Sequence, residues 1–481
     1  MNTLPAHVTT FMELVNLAVF ANPFSDARKD LDRQIGEVDD AQDLVDAASG
    51  KVRLCIEQLE QAGIRRLDDC AEHQRKQLQY LYLFDFFHRF IPQFDQLIER
   101  YMARPGKSVT VGFAPQALQY LIEKGFSEVE ARHYFAISFQ LRRAFYFIQK
   151  NLVGCSQSMK ELRESLWNNV FTHNLDLYNR FLINRMEDFS TLLLGETGTG
   201  KGTASMAIGS SGFIPFDPER KCFCEDFTRT FISINLSQYP ETLIESELFG
   251  HKKGAFTGAN EEHRGVFSLC SPHGAIFLDE IGEVSISVQI KLLKVLQERL
   301  FSPVGSHEQL HFSGRVIAAT NKAREELETS HTFRSDFYYR LCSDIITVPP
   351  LRTRIQQDAR ELEELLAHTV ARLTGEPSRE LTTMVYDRIV QDLGMAYQWP
   401  GNVRELEQCT RRILLKGTYA GVEHHAPVDP FLRSIATGSL TMHELAARYC
   451  RLLYDRYGSY QEVAMRTELD WRTVKKYVTT E

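Results

Sequence analysis

Proline and glycine are sparse in this 481-residue chain, 16 and 28 residues respectively, and there is no internal repeat. A collagenous or low-complexity chain is thereby excluded. Basic residues are in the minority, 55 against 63 acidic ones, for a net charge of −8. Binding nucleic acid through a uniformly positive surface is excluded, whereas a local reading helix is not. The nine cysteines (Cys55, Cys70, Cys155, Cys222, Cys224, Cys270, Cys342, Cys409, Cys450) are odd in number and scattered. They lack the paired spacing of a zinc site or a secreted disulfide framework and read as reduced cytosolic thiols. No window approaches the roughly 18 uninterrupted apolar residues of a membrane span. The apolar stretch Phe11 to Phe20 carries Glu13 and Asn16 and follows no basic run, so no signal peptide is expected and the expected location is cytoplasmic. What is present, 43% hydrophobic and 25% charged residues, suits a folded protein of about three or four domains.

Residues 1–160 hold long stretches of helical apolar periodicity and no strand-like alternation, so they read as a helical domain. Leu83, Phe87, Phe90, Phe94 and Leu97 share a helical spacing that Pro92 should bend or interrupt. Phe135, Phe139 and Ile148 lie on another face beside Arg142 and Arg143. Such aromatics serve either a bundle core, which this spacing requires, or a pocket for an apolar effector. The pattern changes near Phe189. Short apolar runs at Thr191–Leu194, Phe231–Ile234, Ala275–Leu278, Val316–Ala319 and Ile345–Val348 alternate with helical stretches such as Val288–Gln297, which predicts a parallel α/β sheet. From about Ile355 the pattern is helical again. A polar stretch near Ala426 to Thr437 then leads to a short helical tail ending at Glu481.

The first strand runs into Gly195-Glu196-Thr197-Gly198-Thr199-Gly200-Lys201, which opens a helix. Glycines there let backbone N–H groups turn onto a phosphate, the helix N-terminus adds partial positive charge, and Lys201 reaches the β- and γ-phosphates. Gly202 stands where the general pattern has Ser or Thr, so the hydroxyl that usually meets magnesium is missing; Thr203 or water are the substitutes. The run Ala275–Leu278 ends in Asp279 and Glu280, two carboxylates at the tip of a buried strand. In that position Asp279 would hold Mg2+ and Glu280 would polarise the water that attacks ATP. Together the two elements predict an ATPase.

Glu245-Ser246-Glu247-Leu248-Phe249-Gly250-His251 leads into Gly254-Ala255-Phe256-Thr257-Gly258-Ala259. With Phe277 to Glu283, Gln289 to Leu293, Ala318 to Asn321, Phe333 to Leu341, Pro349 to Arg352 and Trp399 to Leu406 following in order, the chain resembles the AAA+ domain of sigma-54-dependent transcriptional activators over about residues 160–420. The resemblance implies that Gly254 to Ala259 form the loop that grips sigma-54, with Phe256 and Thr257 in contact. It implies that Asn235 holds the catalytic glutamate and couples nucleotide state to the loop. Arg334 and Arg340 match arginines that reach the neighbouring subunit's nucleotide, where a guanidinium neutralises charge on the transferred phosphoryl group. Thr320 and Asn321 would sense the γ-phosphate, and Arg404 in a helical lid would read the nucleotide in cis. A ring, usually a hexamer, is implied.

Gly202 stands where the family commonly has Glu, and the stretch Gly209 to Thr230 is about ten residues longer than usual. That stretch, with Cys222-Phe223-Cys224, reads as a surface insertion. Residues 439–481 resemble a Fis-type helix-turn-helix: Leu440, Leu445, Tyr449, Leu452 and Leu453 give a first amphipathic helix, and Val463, Ala464, Leu469 and Val474 a small core. Trp471, Arg472, Lys475 and Lys476 would face the major groove of promoter-upstream DNA. Glu468 replaces the usual turn glycine.

The expected architecture is therefore multidomain: an α-helical regulatory domain (1–160), an α/β P-loop subdomain (161–354), a helical lid (355–425), a linker (426–438) and an all-α DNA-binding domain (439–481). The expected function is ATP-driven remodelling of sigma-54 RNA polymerase from closed to open promoter complex. The alternative is a DNA-binding regulator that uses nucleotide only as an assembly switch. The first domain carries no receiver-like alternation of strands with acidic ends, so a ligand or partner protein is its expected input.

Overall fold

The computed structural model describes residues 5–38, 44–329, 332–421, 434, 438 and 440–479, which divide after Tyr419 into two compact units. The expected linker 426–438 lies outside the described residues apart from Ser434 and Gly438, as do Ser439, Thr480 and Glu481 of the tail.

The first unit opens with helices α1 (Ala6–Phe20), α2 (Asp26–Gly36), α3 (Leu44–Gln61), α4 (Glu72–Ala103), α5 (Ala114–Glu123), α6 (Glu128–Asn151) and α7 (Gln157–Phe171). Of the bend or interruption expected at Pro92, the interruption does not occur: α4 is continuous through it. Proline withdraws one donor from the ladder, while Phe86, Phe90, Phe94 and Leu97 are buried on both sides of it and hold the helix together by packing. Phe135, Phe139 and Ile148 of α6 are buried in the same core, whereas Leu83 and Phe87 are only half-buried.

After a short turn, α8 (Leu175–Leu177), the chain enters the α/β part. Its sheet has the order β4-β5-β8-β1-β9, all pairs parallel, from β1 (Thr191–Leu194), β4 (Phe231–Asn235), β5 (Ala275–Asp279), β8 (Arg315–Thr320) and β9 (Asp344–Thr347). All five coincide with the expected runs to within one residue at either end. They were legible because a strand covered on both faces is apolar at every position, as Thr191–Leu194 is. The covering helices are α9 (Lys201–Gly209), α10 (Glu241–Phe249), α11 (Val266–Leu269), α12 (Ile286–Glu298), α13 (Arg324–Thr329) and α14 (Ser335–Leu341).

The stretch Gly209 to Thr230 is not a surface insertion. It folds into a small antiparallel hairpin, β2 (Phe216–Asp217) with β3 (Cys222–Phe223), whose aromatics enter the helical core. Phe216 meets Phe135 with ring centroids 4.8 Å apart, Phe223 stacks on Phe139 at 4.3 Å, and Phe227 lies 5.3 Å from Tyr101. The Gly106 amide donates to Asp226 at 2.6 Å, and the Gln140 amide to the Ser211 carbonyl at 2.9 Å. The buried Arg143 donates to the Gly212 carbonyl and lies over the rings of Phe139 and Phe227. One apolar cluster therefore runs from the N-terminal helices through this hairpin to one face of the sheet, including Phe277, Ile317 and Ile346.

A second junction lies between α6 and α7. The buried Arg354 and Glu361 pair at 2.5 Å, and Glu361 also accepts the amides of Cys155 and Ser156 at 2.7 and 2.9 Å. Arg354 and Glu361 belong to α15 (Leu351–Gln357) and α16 (Arg360–Thr374), which with α17 (Arg379–Leu393) and α18 (Asn402–Lys416) build the helical lid around Leu366, Val385, Trp399 and Leu406. The divisions drawn from sequence after residues 160 and 354 thus fall inside α7 and α15.

In the second unit, α19 (Met442–Tyr457), α20 (Tyr460–Thr467) and α21 (Trp471–Thr479) enclose Cys450, Leu453, Val463 and Val474. Ala464 and Leu469 pack against this core as expected. The first-helix face divides: Leu453 is buried, and Tyr449 and Leu452 point outward. Glu468 adopts φ 56°, the left-handed conformation a turn glycine would supply.

Candidate functional site

The C-terminal ends of the parallel strands carry the candidate residues to one edge of the sheet, the usual ligand edge of such folds. Leu194 of β1 is in register with Thr320 of β8, and Asn235 of β4 with Asp279 of β5. Between β1 and α9, Gly195, Gly198 and Gly200 all take positive φ. Gly198 is also required by packing, since a Cβ there would stand 2.3 Å from the Gly401 carbonyl oxygen. Lys201 is buried and donates to the Gly195 and Glu196 carbonyls at 2.6 and 3.2 Å. Burial lowers its pKa, against the pull of the nearby Glu280 and Asp279. Thr199 caps the turn by donating to the Glu196 carbonyl at 2.9 Å. Gly202 is exposed with open space where a Cβ would be, and Thr203 is half-buried beside it.

Asp279 accepts the Glu280 amide at 3.1 Å and the Asn235 side-chain amide at 3.3 Å. Asn235 is thus tied to the carboxylate beside Glu280, and its own oxygen accepts from Ser237. Glu280 adopts φ 57°, and burial followed by repulsion from Asp279 raises its pKa. Thr320 is fully buried, and Asn321 reaches Thr197 of the glycine loop at 3.5 Å.

Arg404 approaches from the lid, its Cβ 3.0 Å from where a Gly198 Cβ would lie. Two residues carry this junction to which sequence reasoning assigned no role. Arg352 makes a two-point pair with Glu196, holding its carboxyl below the usual range. Asn402 donates to the Thr197 carbonyl at 3.0 Å and accepts the Leu351 amide at 2.8 Å. Arg352 closes the segment Pro349 to Arg352 and Asn402 lies in Trp399 to Leu406, but only their three-dimensional proximity to the glycine loop reveals the contact.

Arg334 and Arg340 are not brought to this edge by their own contacts. Arg334 is half-buried and pairs with Asp336 at 2.7 Å; Arg340 donates to the Leu296 carbonyl at 2.9 Å.

Gly254 to Ala259 form a closed turn in which the Gly254 amide donates to the Ala259 carbonyl at 2.8 Å and the Ala259 amide to the Phe256 carbonyl at 3.0 Å. Phe256 and Thr257 are exposed at its tip, and the Phe256 ring leans on His251 at 4.9 Å. Behind the turn stands a hairpin, β6 (Leu300–Phe301) with β7 (Leu310–His311), to which sequence gave no role. The Lys252 amide donates to its Val304 carbonyl at 3.1 Å, and a Cβ on its Gly305 would stand 2.7 Å from that of Ala255.

A family model described as the Sigma-54 interaction domain matches residues 172–347. The central part of the chain is a sigma-54 interaction domain. This domain is of the AAA+ ATPase type, and its sheet edge is the one described above. The chain is 37% identical over 292 residues to the nitrogen fixation protein VnfA of Azotobacter vinelandii, covering 61% of this chain and 49% of that one. To the Nif-specific regulatory protein of Klebsiella pneumoniae it is 40% identical, covering 55% and 44%, and to the regulatory protein AtoC of Escherichia coli 34% identical, covering 55% and 55%. The chain thus spans about half the length of these relatives. A solved structure of NtrX from Brucella abortus in complex with ATP aligns over 80% of this chain and 86% of that one, at 20% identity and a TM-score of 0.41.

On the second unit, Trp471, Arg472, Lys475 and Lys476 lie on the solvent side of α21, opposite the buried Val474. Among the described residues no helix is long and apolar enough to cross a membrane.

Proposed function

We propose that this chain is a transcriptional regulator that hydrolyses ATP to drive sigma-54 RNA polymerase from closed to open promoter complex. The observation that carries the reading is one domain with two ends: Lys201, Asp279 and Glu280 gathered at the sheet edge, and Phe256 and Thr257 offered to solvent on a hydrogen-bonded turn. In this reading Gly195 to Thr203 cradle the phosphates of ATP, and Lys201 leaves the loop carbonyls to neutralise them. The paired carboxylates suit Mg2+, which Asp279 would hold and which would offset phosphate charge. Glu280 takes the proton of the attacking water. Asn235 fixes the carboxylate pair, while Thr320 and Asn321 on β8 register the γ-phosphate and Arg404 reads the nucleotide from the lid. Arg334 and Arg340 act on the nucleotide of a neighbouring copy, so hydrolysis requires a ring, in this reading a hexamer. Trp471, Arg472, Lys475 and Lys476 read upstream DNA.

The test is open-complex formation on a sigma-54 promoter by the full chain with core polymerase and sigma-54. Melting is expected with ATP and not with a non-hydrolysable analogue. Thr257→Ala is expected to keep ATP turnover within about twofold and to lose melting; retained melting by that variant overturns the loop assignment. A chain that hydrolyses ATP yet never melts the promoter leaves the assembly-switch reading in its place.

A further inference from the structure

Helices α1, α2, α3, α4, α6 and α7 line a cavity of about 690 Å³. Close-packed interiors hold few voids larger than a water molecule, whereas small-molecule sites span roughly 300–1,000 Å³. The walls are mainly apolar: Leu83, Phe87 and Ile91 from α4, Leu141 and Phe145 from α6, and Trp167 from α7. Deep in the lining the charged side chains are already paired, Arg28 with Asp32 at 2.9 Å and Arg142 with Asp95 at 2.6 Å, while Asp46 of α3 stands exposed to solvent. One polar group on the wall differs. His88 Nδ1 lies 2.8 Å from the Phe84 carbonyl oxygen, which can only accept, so that nitrogen carries the proton and Nε2 presents a lone pair. Burial keeps the ring neutral, with a pKa lowered to about 3.

We infer that this cavity is the binding site of an uncharged, largely apolar small molecule that donates one hydroxyl hydrogen bond to His88. Among the described residues, the buried Asp32 and the guanidinium groups of Arg28 and Arg142 are already matched, so burying a charged ligand between them would go uncompensated, and a pure hydrocarbon would leave the imidazole acceptor unmet.

The cavity also has a route to the α/β domain. The residues of α6 that line it, Leu141 and Phe145, alternate with Phe139, Gln140 and Arg143, which grip the hairpin β2–β3 and its flanks. On α7, Trp167 lines the cavity while Asn169 donates to Thr191 at 2.9 Å and Asp344 at 2.6 Å, the first residues of β1 and β9. A ligand that shifts α6 against α7 therefore pulls on the strand that ends in the phosphate loop.

Equilibrium dialysis of the full chain with 2-naphthol, and with 2-methoxynaphthalene in which the donor is capped, tests the assignment without reference to ATP hydrolysis. The expected result is one saturable site that prefers 2-naphthol about tenfold, the worth of one hydrogen bond at about 1.4 kcal/mol. His88→Phe should erase the preference while keeping apolar binding, and Leu141→Trp should abolish binding of both, with unfolding curves confirming that each variant folds. Absence of saturable binding to the wild-type chain overturns the site, as does binding unaltered in both variants. Hydrogen exchange of residues 212–230 is expected to change on saturation with 2-naphthol; unchanged exchange there overturns the route while leaving the site.

Discussion

At the scale of single residues, Glu280 and Glu361 show how environment separates two carboxylates of one chain. Glu280 sits at φ 57°, a conformation that costs a non-glycine residue about 1–2 kcal/mol and that neighbouring structure must impose. Its pKa is raised first by burial and then by Asp279. A base must be ionised to work, so falling pH removes activity as it passes through this raised pKa. The acid limb of the ATP hydrolysis profile is therefore expected above the ordinary carboxylate range. Glu280→Gln is expected to slow turnover by at least about 100-fold with nucleotide affinity nearly unchanged, measured by steady-state hydrolysis and by fluorescent-nucleotide titration. Glu361 is fully buried, with Arg354 and two backbone amides as partners. Removing one member of such a pair strands the other charge. Glu361→Gln should therefore destabilise the first unit by about 3–5 kcal/mol, read as a shift of the urea unfolding midpoint. A shift under about 1 kcal/mol would mean that Arg354 finds water or another acceptor.

At the scale of elements, legibility followed from how local the determining contacts are. The strands were readable because each is a short run apolar on both faces, and the phosphate loop because its glycines and Lys201 are contiguous in sequence. The hairpin β2–β3 was not. Phe216, Phe223 and Phe227 lie among prolines, charges and cysteines that look like a loop, and the rings that cover them are on α4 and α6, about 75 or more residues earlier. Periodicity carries no information about such distant partners. Similarly, the spacing on α4 suited both a core and a pocket, and the helix serves both: Phe90 and Phe94 fill the core, and Leu83 and Phe87 face the cavity. The tail was readable because its core residues, Val463 and Val474, are close in sequence. If α21 is the reading helix, Lys475 neutralises a phosphate. Lys475→Ala should then weaken binding similarly across DNA sequences and reduce the slope of log affinity against log salt by about 1. An unchanged slope would place the phosphate contacts on other residues.

At the scale of the whole first unit, the N-terminal helices and the α/β domain share one apolar cluster, so the helices are a structural cover as well as a candidate input domain. Deleting a regulatory domain is the usual way to ask whether it represses, and here that experiment has a physical side effect. Removing residues 1–151 keeps Val153 to Ser156 and hence the partners of Arg354 and Glu361, but it strips the cover from Phe216, Phe223 and Phe227. Contiguous apolar patches beyond a few hundred Å² drive association. The shortened chain is therefore expected to self-associate non-specifically in light scattering, with or without nucleotide. Substituting Ser at positions 216, 223 and 227 in the shortened chain should restore a discrete size, because the three rings then have nothing left to bury. Only in that background does a change in ATP turnover report on control by the N-terminal helices rather than on bared aromatic surface. If the shortened chain is already monodisperse without the substitutions, the hairpin must refold onto its own domain, and the continuous core is a convenience of packing rather than a requirement for it.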